Sequence, residues 1–323
     1  METQVQKQII NKNFDLMFIK FPIIFPIMYG LILFKFPQYE NILIFTTLLV
    51  LAETHFGATW PFFLNKSNFA EIKNKKIRYI FLPIIITILS ILAFFYINVY
   101  FLIFFFTLNI FHVTRQSYGI CKLYKNDERE LWYQEKLIYL FSFLFFAVGI
   151  FRFYIPIIND QNILIVNIII LCLLLFTFIF YFIKFNNFEN FLTFVTGTII
   201  FLPACFVDKP LHAIVMGVTM HYTQYLALTY KICSKRRSEN SVVKRDKFNF
   251  FGIKNYNFLL VIFAYGLIMS LLSQGTGNLN EIFKSLLIIP LTGQILHFYL
   301  DAFLWKFSEK HNREVTLKHI YTL

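Results

Sequence analysis

The chain has 323 residues, of which 58% are hydrophobic and 15% charged, and its formal net charge is +12 at pH 7. A soluble domain of this length carries nearer a quarter charged residues, so the composition excludes an ordinary soluble protein. The apolar residues come in blocks of about 20, which at about 1.5 Å per residue is enough to cross a hydrocarbon core of about 30 Å. The sequence therefore predicts an all-α, polytopic membrane helical bundle.

The positive charge lies between the apolar blocks, which indicates membrane orientation and contact with anionic lipid headgroups. The basic loop from Lys231 to Lys254 carries no recognition motif, so we expect no nucleic-acid partner. The cysteines are widely spaced and form neither a disulfide framework nor a zinc signature. They are Cys121, Cys172, Cys205 and Cys233.

The apolar blocks predict about ten transmembrane helices in a single transmembrane domain, residues 1–323. The N-terminus is polar up to Asp15, and no small-residue cleavage site follows the first block, so this block is interpreted as a span rather than a cleaved signal. In chain order the spans are placed at 16–34, 41–64, 79–97, 99–123, 137–155, 162–183, 191–207, 211–230, 255–273 and 282–305.

Lysine and arginine are distributed unevenly between the two sides of this bundle. The side opposite the N-terminus has little beyond Lys35, Arg152, Lys209 and Lys284. The positive-inside rule therefore places the N-terminus in the cytoplasm, and an even number of spans places the C-terminus there too. We expect a multi-pass protein of the cell inner membrane, surrounded by membrane lipids; the sequence leaves its oligomeric state open.

Five of the seven histidines lie within predicted spans, and one of them, His212, is near the outer end of the eighth. The other four lie deeper, one each on the second, fourth, eighth and tenth spans: His55, His112, His221 and His297. The next cytoplasmic lysine follows them by 11, 10, 10 and 9 residues, which corresponds to depths of roughly 14–17 Å. A single intramembrane histidine is more often a hydrogen-bonded packing residue. Four at one depth, on helices that all run inward, can converge on one point and predict a shared polar site.

Imidazole nitrogen is a ligand for iron, copper, zinc and nickel. Four histidines leave positions open on iron, whereas they would fill a tetrahedral zinc ion. The spans contain no Glu-x-x-His pair, so a carboxylate-bridged di-iron bundle is not indicated. We therefore expect ferrous iron, Fe(2+), and keep other transition metals open.

Further polar residues lie near the same depth. Asp301 follows His297 by four residues and could accept the ring N–H of a ligand histidine. Glu53 faces another side of its helix from His55 and could serve a ligand on a different helix. Arg115 either extends to the interface or pairs with Asp301, Glu53 or an anionic head. The remaining candidates are Gln116, Tyr118 and Gln224.

The segments ETHFGATWPF at 53–62 and LHFYLDAFLWKFSEKH at 296–311 resemble parts of the Brp/Blh-type membrane carotene dioxygenases. His55 with the following Phe-Gly, and His297 with Asp301, match two motifs of that family. Thr59 stands near the position at which the family has an acidic residue. The family's Pro-His-Gly and His-x-x-x-His segments have no counterpart in this chain. The chain is also similar to a broader set of uncharacterised prokaryotic multi-pass membrane proteins. The resemblance implies a metal-dependent oxygenase that uses His55 and His297, without implying β-carotene as substrate.

These patterns together predict a membrane oxygenase, with non-haem iron, that acts on a lipid-soluble small molecule such as an isoprenoid, a carotenoid or a fatty chain. The alternative is a transporter whose polar layer forms a substrate or proton site. Haem binding is a third hypothesis. It fits less well, because two bis-histidine haems would need ligands at two depths.

Overall fold

A computed structural model describes residues 8–125, 127–154, 160–242, 255–273 and 285–321 of the chain. These residues form helices and turns and contain no strand, which confirms the all-α prediction for them. The helices are α1 Lys12–Lys20, α2 Ile24–Lys35, α3 Pro37–Phe63, α4 Lys66–Asn74, α5 Ile77–Tyr96, α6 Asn98–Leu123, α7 Glu128–Phe153, α8 Asp160–Phe185, α9 Phe188–Ile199, α10 Pro210–Val242, α11 Asn255–Ser273, α12 Ile288–Leu304 and α13 Lys310–Val315.

Five of these helices, α3, α5, α6, α7 and α8, are long and apolar enough to cross a membrane, and α1 with α2 makes a sixth if the bent pair is one span. Helices α11 and α12 are apolar but shorter. The number of ten spans, the orientation of the termini and the identity of the membrane stay predictions. Residues 243–254 of the basic loop and Lys284 with the start of the tenth predicted span lie outside the described residues.

Four predicted spans differ from the helices that form. The eighth continues 12 residues beyond its predicted end at 230, since α10 ends at Val242. The first is broken between α1 and α2 with a bend of 51°, because Pro22 disfavours helical backbone at Phe21 and removes one N–H donor. The fifth starts earlier, at Glu128, where Asp127 caps the helix by accepting the N–H of Arg129 at 2.9 Å. The seventh is shorter than predicted, since α9 ends at Ile199 and a 3-10 turn follows.

The chain divides into two compact units. The first unit comprises Met1–Ile10, Phe45–Asn109 and Tyr225–Leu323, and the second comprises Asn11–Ile44 and Ile110–Gln224. Helices α6 and α10 each run without a break through a boundary between these ranges. A single transmembrane domain stays a prediction.

In the first unit, close packing of α3 against α11 depends on glycine. A Cβ added at Gly57 would lie 2.9 Å from the ring of Tyr265, and one at Gly266 would lie 2.9 Å from the carbonyl oxygen of Leu49. Small residues of this kind let helix backbones approach closely. The main apolar cluster of this unit comes from α3, α5, α6 and α12: Phe56, Phe94, Phe101, Phe105, Ile288, Leu291, Ile295 and Phe298.

In the second unit, a buried carboxylate joins α7, α8 and α9. Glu130 is 3% exposed and accepts hydrogen bonds from the Tyr181 hydroxyl at 2.8 Å and from the Asn190 amide at 2.6 Å. Both of its oxygens thus have partners, which is what a buried carboxylate requires. The apolar side chains around it include Ile138 and Phe194, both fully buried.

The segment after α12 is held to the start of α5 by an acidic side chain. Glu309 lies 3.1 Å from the Lys75 ammonium and 2.9 Å from the Arg78 guanidinium. Burial alone would raise the pKa of Glu309, but the hydrogen bonds and charges of Lys75 and Arg78 outweigh it and lower the pKa. The resulting stabilisation is present above the unfolded-state pKa of about 4.3 and is lost as pH falls through the lowered, folded-state pKa.

We therefore expect Glu309→Gln to destabilise the protein by about 1 kcal/mol at pH 7 and to have little effect near pH 3. Thermal unfolding in detergent, followed by tryptophan fluorescence at both pH values, measures this. Glu314→Gln is the matched control, because Glu314 is 62% exposed and lies 3.7 Å from Lys310, which is 81% exposed. Equal destabilisation by Glu309→Gln at both pH values would contradict the assignment.

Candidate metal centre

Four buried histidines form one compact group in the structure. His55, His112, His221 and His297 are 0%, 7%, 1% and 1% exposed. One ring nitrogen from each lies within 4.8 Å of the corresponding nitrogens of the other three. The histidines selected by matched depth are thus brought together, while their binding of a metal stays a prediction.

A local irregularity in α3 places His55. Residues Leu48–Ala52 form a π-helical turn, a widened turn that often occurs at functional sites, directly before Glu53. Side chains satisfy the carbonyl groups of this turn: the Thr54 hydroxyl donates to Val50 O at 2.6 Å, and His55 Nδ1 bonds to Ala52 O at 2.8 Å. A carbonyl oxygen can only accept, so Nδ1 of His55 carries the proton and Nε2 presents its lone pair.

His297 on α12 lies edge-on to His55, with ring centroids 4.6 Å apart and ring planes at 77°. Its Nδ1 is 2.5 Å from the hydroxyl oxygen of Thr59. Thr59 follows His55 by one helical turn, so both side chains lie on the same face of α3. One face of α3 thereby supplies a histidine to the group and a hydrogen-bond partner to a second histidine.

The hydroxyl of Thr59 is also bonded to a tyrosine. Tyr225 on α10 lies with its hydroxyl oxygen 2.8 Å from Thr59 Oγ1, and it donates to Asp301 Oδ1 at 2.9 Å. The other carboxylate oxygen, Oδ2, is 3.6 Å from His297 Nε2, beyond hydrogen-bond distance. Asp301, predicted as a direct acceptor of a ligand N–H, is therefore connected to His297 through Tyr225 and Thr59.

The other two histidines pair within the second unit. The rings of His112 on α6 and His221 on α10 meet edge to face, with centroids 5.5 Å apart. Helix α10 is fixed near His221 by Gln224, whose amide donates to the carbonyl of Ile19 at 2.7 Å. The candidate Gln224 thus has a structural contact that anchors α10 to α1.

The remaining candidates lie in different environments. Glu53 is fully buried, and its Oε1 accepts from the Gln294 amide at 3.0 Å and from the Ser273 hydroxyl at 3.4 Å. Arg115 is exposed and Gln116 is half-buried. Among the described residues, the group of possible ligands contains the four histidines without Glu53 or Asp301.

Tyr118 is half-buried and packs in the apolar cluster around Ile138 and Phe194, with the Lys122 ammonium 5.3 Å from its ring. Tyr225 and Thr59, in contrast, were not among the sequence-based candidates. Each follows a histidine of the group by four residues. This i, i+4 spacing is a signal that could have identified both.

The group has the donor chemistry of a transition-metal site. Imidazole nitrogens bind zinc at about 2.0–2.1 Å, so the four nitrogens of a tetrahedral site lie roughly 3.3 Å from one another. In the histidine group, one nitrogen of each ring lies within 4.8 Å of the others. An all-nitrogen set excludes a typical calcium or magnesium site, since those ions prefer oxygen ligands.

No protein-family model, no curated protein and no solved structure matches this chain. The functional inference is therefore carried by the helices and by the histidine group.

Proposed function

We propose that this chain is an integral membrane metalloenzyme that holds one iron ion through His55, His112, His221 and His297, and that oxygenates a lipid-soluble substrate. The observation that carries the proposal is the buried group of four imidazoles with nitrogens within 4.8 Å of one another. The five candidate spans support the membrane location. The inner membrane, with both termini in the cytoplasm, belongs to the same proposal.

The donor set suits iron, since imidazole nitrogen is a ligand for iron, copper, zinc and nickel. In His55 the proton on Nδ1 is engaged by Ala52 O at 2.8 Å, which leaves Nε2 as the nitrogen with a lone pair. Four histidine ligands would leave positions open on iron for oxygen and substrate.

The surroundings favour a lipophilic substrate. Phe56 lies with its ring centroid 5.0 Å from that of His297, and it belongs to the apolar cluster that includes Phe298 and Phe105. Helix α5, which packs in the same cluster, carries exposed apolar side chains such as Leu89 and Leu92 along its outer face. A molecule reaching the histidines from the bilayer would meet hydrocarbon and aromatic surface, as suits an isoprenoid, a carotenoid or a fatty chain.

The chain's own residues would bind and orient the substrate and would exclude water from the site. The bound iron would supply oxygen binding and activation. His55 and His297 would present Nε2, held by Ala52 and Thr59 respectively. The oxygenase chemistry itself is suggested by the resemblance of residues 53–62 and 296–311 to the Brp/Blh-type enzymes.

Elemental analysis and an oxygen-labelling assay test this function together. The purified protein is expected to contain about one iron per chain, without a Soret band. With 18O-labelled oxygen and a panel of isoprenoids, carotenoids and unsaturated fatty acids, we expect 18O in a product by mass spectrometry. Metal-free protein with full activity, or a haem spectrum, would refute the proposal. Oxygen-independent proton flux in proteoliposomes would favour the transporter instead.

A further inference from the structure

The direction of each hydrogen bond beside His297 follows from the number of protons available. The Tyr225 phenol has one O–H, which it donates to Asp301 Oδ1 at 2.9 Å. Its oxygen can therefore only accept from Thr59, which donates its single O–H across 2.8 Å. Thr59 has no second proton, so across 2.5 Å its oxygen accepts the Nδ1–H of His297.

This chain of donors and acceptors runs from a histidine to a carboxylate through two hydroxyl groups, all in the first unit. Its members Thr59, Tyr225, His297 and Asp301 are 0%, 2%, 1% and 4% exposed. In such a low-dielectric environment hydrogen bonds polarise one another, and a carboxylate at one end strengthens each of them. The charge of Asp301 therefore acts on His297 although the two do not share a hydrogen bond.

In both His55 and His297 the protonated ring nitrogen is Nδ1, although a different group accepts its proton in each. Ala52 O holds the Nδ1 proton of His55 at 2.8 Å, and Thr59 Oγ1 holds that of His297 at 2.5 Å. A backbone carbonyl is a fixed acceptor. A hydroxyl is not, since a lone threonine could equally well donate to Nδ1 and leave the proton on Nε2. Tyr225 and Asp301 remove that freedom.

We infer that Thr59 and Tyr225 are positioning residues that connect Asp301 to His297, fix the Nδ1–H tautomer of His297 and so present its Nε2 to a transition metal ion. The inference rests on the proposed metal centre. It assigns Asp301 a role that depends on two hydroxyl groups, and it predicts that removing either hydroxyl weakens metal binding even though neither touches the metal.

Cobalt(II) titration of metal-free protein in detergent tests this, with visible absorption as the readout. Tyr225→Phe and Thr59→Val are expected to weaken Co(II) binding about 10–100-fold and to shift its absorption bands, because partners of ligand histidines have effects of this size. Thr59→Ser keeps the hydroxyl and should restore both. Tyr230→Phe is the control and should leave both unchanged, because Tyr230 is a half-buried tyrosine on the same helix whose ring packs against Phe258.

The histidine tautomer gives a readout that needs no metal. Nitrogen-15 NMR of histidine-labelled, metal-free protein should show His297 protonated at Nδ1, with Thr59→Val adding the Nε2–H form and Thr59→Ser returning to the wild-type signal. If Tyr225→Phe does not fold, the Co(II) and NMR measurements on Thr59→Val and Thr59→Ser are sufficient to test the inference. Wild-type binding with unchanged affinity and spectrum in Thr59→Val overturns this inference alone. Absence of Co(II) binding by the wild type overturns the metal centre as well.

Discussion

Replacing His221 with alanine is expected to remove the metal from the purified protein, to below about a tenth of the wild-type content. The change deletes one of the four proposed ligands, and its effect should exceed the roughly 10–100-fold loss of affinity that follows when a partner of a ligand is removed. The cavity left by the ring is buried, since His221 is 1% exposed, so solvent does not readily replace the lost nitrogen. Elemental analysis of protein purified in detergent measures the result.

His212→Ala provides a control on the same helix. His212 is also buried, at 5% exposed, but its Nδ1 bonds to the Tyr29 hydroxyl at 2.6 Å, and it is not one of the four grouped histidines. We expect this variant to lose stability without losing metal. Equal metal content in both variants, or full content in His221→Ala, would show that the four histidines do not form the binding site.

The histidine group could be predicted from sequence because its signal is geometric and local. Each of the four histidines is followed, after 9–11 residues, by a lysine that the sequence predicts to be cytoplasmic. A helix converts such spacings into depth at about 1.5 Å per residue. Depth alone does not say which face of a helix points inward. Convergence therefore required the structure, which places one nitrogen of each ring within 4.8 Å of the others.

The hydrogen-bond chain beside His297 was predicted only in part. Asp301 was identified by its spacing from His297, but the intervening Thr59 and Tyr225 come from α3 and α10. Their contact depends on how these helices rotate against α12, which the apolar pattern does not encode. The π-helical turn at Leu48–Ala52 is similarly invisible in the sequence, because its residues are as apolar as those of an ordinary helix.

The helix boundaries also divide into those that the sequence predicts and those that it does not. Pro22 marks the break between α1 and α2, and this break is predictable from the sequence because proline disfavours helical backbone at the residue before it. The early start of α7 was missed because its first turn, beginning at Glu128, is polar. Hydropathy reports the apolar part of a helix, whereas its hydrogen bonding continues until the caps end it.

Gly217→Ala is expected to destabilise the second unit by about 3 kcal/mol or more. A Cβ added at Gly217 would lie 1.8 Å from the backbone carbonyl oxygen of Ile200 and 2.9 Å from its carbonyl carbon. These are backbone atoms, which cannot rotate away, so α10 has to move. Alanine would otherwise favour the helix by about 1 kcal/mol, and the clash outweighs that gain.

The matched substitution Gly119→Ala separates this clash from helix propensity. Gly119 lies within α6, and nothing is found within 4 Å of a Cβ added there. We expect Gly119→Ala to unfold at or above the wild-type temperature in a detergent thermal scan, and Gly217→Ala well below it. Because Gly217 precedes His221 by one turn of α10, the displaced helix would also carry that ring away from the other three. Metal content should therefore fall along with stability in Gly217→Ala, and wild-type values of both would contradict the close approach of α10 to Ile200.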